Sequence, residues 1–190
     1  MNGRTDLEIA LDLFEVNGVE DPERHLDEFS RALVEALASK AARIRERGRA
    51  YPGAHRTLEL VAARPGVIQS VLTGNIEPNA ALKLGCFSLE AHLDLEVGGY
   101  GSDHRVRSEL VGAARRKAEG KYGVSLEPSE IAVIGDTPLD VTAALAAGAR
   151  ALGVASGPYG VEELKRAGAE TVFDDLRDSE LVVRVVAGER

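Results

Sequence analysis

Ile131-Ala132-Val133-Ile134-Gly135-Asp136-Thr137-Pro138-Leu139-Asp140 carries the reading of the fold. The first four residues form a compact apolar run, short enough to be a strand buried on both faces. The run stops at Gly135-Asp136, and Thr137 or Asp136 can cap a helix whose first position is Pro138. A strand that passes directly into a helix is half of a crossover unit.

Outward from this stretch the same rhythm repeats. Downstream, a helix stops at Gly148, 151–154 is another short apolar run, 161–167 reads as a helix, 171–173 as a strand, and the C-terminus as a helix. Upstream, a helix near 54–63 leads to the apolar run 67–72, which ends at Thr73-Gly74-Asn75. A short helix then stops at Gly85, residues 86–104 are irregular and glycine-rich, and 105–121 is helical. Short apolar strands alternating with helices predict the α/β class: a parallel Rossmann-like sheet, right-handed crossovers, and helices on both faces. Before Tyr51-Pro52-Gly53 the pattern is all helical. Thr5 and Glu8 fit a capping box ahead of Leu7, Ala10, Leu11 and Phe14, and this helix ends at Asn17-Gly18. Asp21 and Pro22 open a second helix, with Leu26, Phe29, Leu33, Leu37, Ala41 and Ile44 along one face. The expected division is a helical unit over 1–50 and an α/β core over 51–190.

Composition excludes several functions. With 44 % hydrophobic and 28 % charged residues the chain is an ordinary globular protein. A net charge of −8, from 23 basic and 31 acidic residues, argues against nucleic acid as a partner. No apolar stretch approaches the ~20 residues that cross a bilayer, and no basic-then-apolar leader is visible. Cys86 is the only cysteine, so a reducing, cytoplasmic location is expected.

In an open parallel sheet ligands bind beyond the carboxyl ends of the strands, which makes the turns after 72 and 134 candidates for one site. Asp136 and Asp140 are close enough to repel unless a cation intervenes, and hard oxygen ligands at a strand end suit Mg²⁺. The plainer alternative is that these residues only cap the helix. Thr73, with the backbone of Gly74 and Asn75, can hold a phosphate oxygen or simply form a turn. Arg105 and Arg107, after the glycines at 98, 99 and 101, offer forked donors to phosphate or a solvated helix start. Asp103-His104 reads as loop.

These turns, in this order, resemble the later motifs of the haloacid dehalogenase superfamily, closest to its phosphoglycolate-phosphatase-like members. Val71-Leu72-Thr73-Gly74-Asn75 looks like the second motif, whose threonine binds the transferring phosphoryl group. The stretch from Gly135 to Asp140 looks like the acidic fourth motif. The resemblance implies Mg²⁺ held by Asp136, with Asp140 supporting the metal site or the basic residue. It implies a substrate-binding set of Thr73, Gly74, Asn75 and Arg107, in which Arg107 replaces the usual lysine of the third motif. The helices over 1–50 resemble part of a helical cap, and Gly3-Arg4-Thr5-Asp6 a cap segment that faces the site.

One departure is large. Such proteins begin with an apolar strand ending in Asp-x-Asp-Gly-Thr, which supplies the nucleophile and the general acid and base. This chain has no such segment. Leu93-Asp94-Leu95-Glu96 is the nearest imitation, but it follows the second motif and lacks Gly-Thr. Loss of a covalent nucleophile costs a rate factor on the order of a million. In the family the missing strand lies between those ending at Thr73 and Gly135, so its loss leaves unpaired edges or forces direct pairing. Unpaired edges favour self-association. Met1 is therefore expected to be an internal methionine of a longer protein. The implied function is a Mg²⁺-dependent phosphomonoester hydrolase acting on a small phosphorylated metabolite. The alternative is a non-catalytic relative that binds a phosphorylated ligand or a protein partner. A generic nucleotide binder is disfavoured by the lack of a G-x-G-x-x-G turn.

Overall fold

The computed structural model describes residues 4–189. Helix α1 (Asp6–Val16) starts where the Thr5 hydroxyl accepts the Glu8 amide at 3.2 Å, the forward half of the expected capping box, while the Glu8 side chain pairs with Arg4. The second helix departs from expectation. Asp21 is left-handed at φ 49° and makes no side-chain cap, and Pro22–His25 is a 3-10 turn ahead of α2 (Leu26–Ala38). The apolar face continues, but the helix does not: Ser39-Lys40 separates α2 from α3 (Ala41–Arg47). Ser39 turns its hydroxyl back to the Ala36 carbonyl at 2.8 Å, a local bond that competes with helix continuation.

The remainder alternates as predicted: α4 (Ala54–Ala62), β1 (Leu72–Thr73), α5 (Glu77–Gly85), β2 (Gly99–Tyr100), α6 (Arg107–Tyr122), β3 (Ala132–Gly135), α7 (Pro138–Ala146), β4 (Arg150–Val154), α8 (Val161–Arg166), β5 (Thr171–Phe173) and α9 (Ser179–Val186). All the strand pairs are parallel. The described residues form two sheets: β1 pairs β2, and β3, β4 and β5 pair in that order. Helices cover both faces. Val111 of α6, Val141 and Ala144 of α7 and Leu164 of α8 pack with Val133 and Ala151, whereas Val182 of α9 packs with Leu152, Val154 and Phe173 on the opposite face. The in-and-out alternation of the strands produces the two layers.

Two features were unexpected. Of the apolar run 67–72, only Leu72 enters a ladder. Its partner, β2, lies within the segment that reads as irregular, and its two residues limit the ladder to two positions. Between β1 and β3 no described strand intervenes, and the two do not pair with each other. Of the two consequences the sequence leaves open, the structure takes unpaired edges. Helices hold the halves together: α6 packs on β1, β2 and α7, and α4 packs on α9. Among the described residues no helix is long and apolar enough to cross a membrane.

Candidate active site

A pocket of about 350 Å³ opens where the carboxyl ends of β1 and β3 approach each other. Thr73, Gly74 and Asn75 line it from one sheet, and Asp136, Thr137 and Asp140 from the other. Arg107, the first residue of α6, completes it. All six residues expected to form the site therefore border one cavity.

Their surroundings separate them chemically. Asp140 is buried, and both of its oxygens are engaged. Oδ2 accepts the Thr137 amide at 3.1 Å and the Thr137 hydroxyl at 2.8 Å, while Oδ1 accepts Arg107 Nε at 3.0 Å and Nη2 at 2.5 Å. Thr137 in turn accepts the Asp140 amide, closing a capping box at the start of α7. The helix-capping alternative thus describes Asp140 and Thr137, and direct metal ligation by Asp140 would compete with four hydrogen bonds. A cation at the start of a helix opposes the helix dipole, so Arg107 depends on this carboxylate for its place.

Asp136 is the contrasting case. It is only half-buried, and burial together with the nearby Asp140 charge holds its carboxyl above the usual carboxylate range. The Tyr51 hydroxyl donates to it, and burial and the Asp136 charge push the Tyr51 phenol up in turn. Behind it runs the loop after β4. A Cβ at Gly157 would stand 2.2 Å from Asp136 Oδ2, so the backbone of this loop can approach the carboxylate only because Gly157 lacks a side chain.

A raised carboxyl pKa sets a pH dependence. The folded state prefers Asp136 protonated, so the penalty is fully present above its folded pKa and vanishes as pH falls towards the unfolded value of about 4. In metal-free buffer, Asp136→Asn is expected to raise the melting temperature at pH 7, with the gain shrinking towards pH 4. An equal gain at both pH values would show that the carboxylate is not strained.

On the opposite side, Thr73 Oγ1 accepts the Asn75 amide at 3.2 Å, so that amide is already committed to a local turn. The Asn75 side chain donates to both oxygens of Asp6, at 3.2 and 3.3 Å, and accepts Lys83 Nζ at 2.8 Å. Asp6 also accepts the Ile76 amide at 3.0 Å. Arg4, Asp6 and Ile9 reach the pocket from the N-terminal segment. The Arg4 guanidinium is paired with Glu8 at 2.9 Å and with Asp12 at 2.7 Å. Gly3, part of the stretch expected to face the site, lies outside the described residues.

The rejected candidates sit elsewhere. Arg105 pairs with Glu23 at 3.1 Å, and His104 accepts the Val106 amide. Asp103 accepts the Tyr100 amide and Lys117, which also lies over the Tyr100 ring. The Asp94 amide bonds to the Gln69 carbonyl, before rather than after β1, and its carboxylate binds Lys121 and Tyr122. Sequence reasoning missed Tyr51 as a neighbour of the site, whereas Arg4 and Asp6 lie where the cap segment was expected to face it. The Tyr51-Pro52-Gly53 turn was legible only as a break in helical rhythm, and nothing local announces its contact with Asp136.

Among described residues, no group of three or more His, Cys, Asp or Glu side chains is arranged to hold a metal. Mg²⁺ characteristically needs only one or two protein carboxylates, with water and phosphate oxygens filling the other positions. Asp136, half-buried on the pocket wall with its carboxyl held above the usual range, fits that requirement as a single carboxylate.

The haloacid dehalogenase-like hydrolase family model matches residues 3–145. No curated protein matches the chain. Among solved structures, a hydrolase from Pseudomonas syringae is similar over 98 % of this chain and 80 % of its own length, with 25 % identity and a TM-score of 0.68. A haloacid dehalogenase-like protein of unknown function from Agrobacterium tumefaciens is similar over 94 % of this chain and 77 % of its own, at 19 % identity and a TM-score of 0.58, a likeness of fold alone.

Proposed function

The chain belongs to the haloacid dehalogenase-like hydrolases, and from that premise we propose that its site serves Mg²⁺-dependent hydrolysis of a small phosphorylated metabolite, in the manner of phosphoglycolate-phosphatase-like enzymes. The observation that carries this reading is the meeting of Thr73 and Asp136 in one pocket at the ends of β1 and β3. Asp136 is the proposed Mg²⁺ ligand. The metal, when bound, supplies charge neutralisation at the phosphoryl oxygens. Thr73 and the Gly74 backbone orient the phosphoryl group, and Arg107 offsets its charge. Asp140 acts through Arg107, by fixing the plane of the guanidinium. In this reading residues 1–50 are a partial helical cap over a 51–190 core, with Arg4, Asp6 and Ile9 as its contribution to the pocket. The proposed compartment is the cytoplasm, in keeping with a single unpaired cysteine.

One observation favours a second reading, that of a binder without turnover. The carboxylates among the described residues that line the pocket are Asp6, Asp136 and Asp140; Asp6 and Asp140 each accept two or more protein hydrogen bonds, and Asp136 accepts the Tyr51 hydroxyl. Asp136 is the one fitted for metal, which leaves none of them placed to attack phosphorus.

Thermal unfolding of the metal-free chain tests the common premise. Mg²⁺ at ten times its dissociation constant is expected to add about 1.4 kcal/mol of stability, and Asp136→Asn to lose that gain. Inorganic phosphate should add a further shift only when Mg²⁺ is present. A Mg²⁺ shift that survives Asp136→Asn would sink the metal assignment. Release of p-nitrophenol from p-nitrophenyl phosphate, abolished by the same substitution, distinguishes the hydrolase from the binder.

A further inference from the structure

Asp6 opens α1, but its side chain serves the turn after β1. The carboxylate accepts the Asn75 side-chain amide at 3.2 and 3.3 Å and the Ile76 amide at 3.0 Å. The Asp6 amide donates to the Gly74 carbonyl at 2.7 Å. Ile76 is the N-cap of α5, and its amide finds in Asp6 the acceptor that a capping box takes from within the helix. Here that acceptor comes from 70 residues away in the sequence. Thr5, fully buried, fastens the same segment to α6. Its hydroxyl donates to the Arg105 carbonyl at 2.8 Å, two residues before Arg107.

These bonds fix the turn that borders the pocket beside Arg107. The Gly74–Asn75 peptide is held at both ends, its carbonyl by the Asp6 amide and its N–H by Thr73 Oγ1. Because Thr73 Oγ1 gives a lone pair to that N–H, the hydroxyl proton is turned away from Asn75. The Asn75 carbonyl accepts the Gly101 amide at 2.9 Å, and Asn75 Oδ1 accepts Lys83 Nζ at 2.8 Å. All four polar groups of Asn75 are therefore engaged with protein. Asn75 is a strut that ties the turn to α1 and α5, and Asp6 is its anchor on α1.

We propose that Asp6 is a positioning residue for the phosphoryl-binding turn: from the start of α1 it holds Asn75 and Ile76 so that Thr73 and Gly74 keep the geometry that receives phosphate. This role rests on the hydrolase reading of the pocket and adds to it a residue that acts without touching phosphate or metal. Two effects of opposite sign meet at this carboxylate. Asp6 lines the pocket, so its charge repels an anion, an effect worth on the order of threefold in affinity through water. Holding the turn is worth more, because re-fixing the backbone of a single released residue costs roughly five- to thirtyfold. Positioning outweighs repulsion, and the sign of the change in phosphate affinity identifies the role.

The test uses the full chain with inorganic phosphate and Mg²⁺, and reads dissociation constants by isothermal titration calorimetry. Asp6→Ala is expected to weaken phosphate binding at least fivefold. Its affinity for Mg²⁺ alone should move by less than about twofold, since the proposed ligand Asp136 stands at the end of the other sheet. Asp6→Asn keeps an oxygen for the Ile76 amide and should recover part of the loss. Asn75→Ala breaks the same contact from the turn and should also weaken phosphate at least fivefold, which keeps the test decisive if Asp6→Ala releases α1 altogether. The double substitution should cost less than the product of the two separate factors. Phosphate bound by Asp6→Ala as tightly as by the wild type, or more tightly, would overturn the proposal and leave the hydrolase reading standing, because repulsion would then be the whole effect of the carboxylate. Equal losses of Mg²⁺ and phosphate affinity would overturn it too, as general damage to the fold. A wild-type chain that binds no phosphate in the presence of Mg²⁺ would remove the hydrolase reading itself, and the role of Asp6 with it.

Discussion

Asp140→Ala is expected to destabilise the fold by about 3–5 kcal/mol, the cost of breaking a buried ion pair from one side. The side chains of Arg107 and Asp140 are only 16 % and 9 % exposed. Removing the carboxylate leaves a guanidinium at a helix N-terminus, where the dipole also repels it. The same change deletes the capping box at the start of α7. For a chain of this size, each kcal/mol moves the melting temperature by roughly 2–4 °C, so the loss is large enough to read directly. Part of the cost belongs to the guanidinium deprived of this carboxylate and not to the pair itself. Arg107→Met combined with Asp140→Ala should therefore recover a substantial part of it, a non-additivity that a double-mutant cycle measures. Should Asp140→Ala cost less than about 1 kcal/mol, the pair is solvated and the clamp on Arg107 does not exist.

Gly74→Ala is expected to cost about 1–3 kcal/mol and to loosen the N-terminal segment from the pocket. A Cβ at Gly74 would lie 2.2 Å from the Arg4 carbonyl oxygen, a backbone atom that cannot rotate away. The same junction carries the Asp6 amide bond to the Gly74 carbonyl at 2.7 Å, so relieving the clash pulls against that bond. Gly101 meets Gly74 from the other side, where a Cβ would stand 2.0 Å from the Gly74 oxygen. Gly101→Ala should behave alike. Gly120→Ala is the control: this exposed helical glycine has nothing within 4 Å of its added carbon, and the change should stabilise by about 0.5–1 kcal/mol. Urea unfolding measures all three. Faster exchange of the Asp6 amide in Gly74→Ala would locate the damage, and unchanged exchange there would sever the link between the turn and the N-terminal segment.

Both predictions depend on contacts of different reach in the chain. Thr137 and Asp140 are three residues apart, so their reciprocal cap is encoded within one turn of sequence. Arg107 is 33 residues from Asp140, and only the packing of α6 against α7 makes them partners. The sequence could place Asp136 and Asp140 side by side as carboxylates in want of a cation. It could not say that Arg107 serves one of them and Tyr51 the other, because that choice follows from which face of each turn is buried.

What the sequence determined by itself is what short-range physics controls. Apolar runs of strand length, helix caps and proline or glycine stops dictated the α/β alternation, most of the element positions and the polar turns at the ends of β1 and β3. The tertiary structure alone decided which edges are paired. It reduced the run 67–72 to a two-residue ladder, drew Gly99–Tyr100 out of a loop to serve as its partner, and left a cavity between two sheets. Strand pairing depends on neighbours far along the chain, and propensity carries no record of whether a neighbour is there.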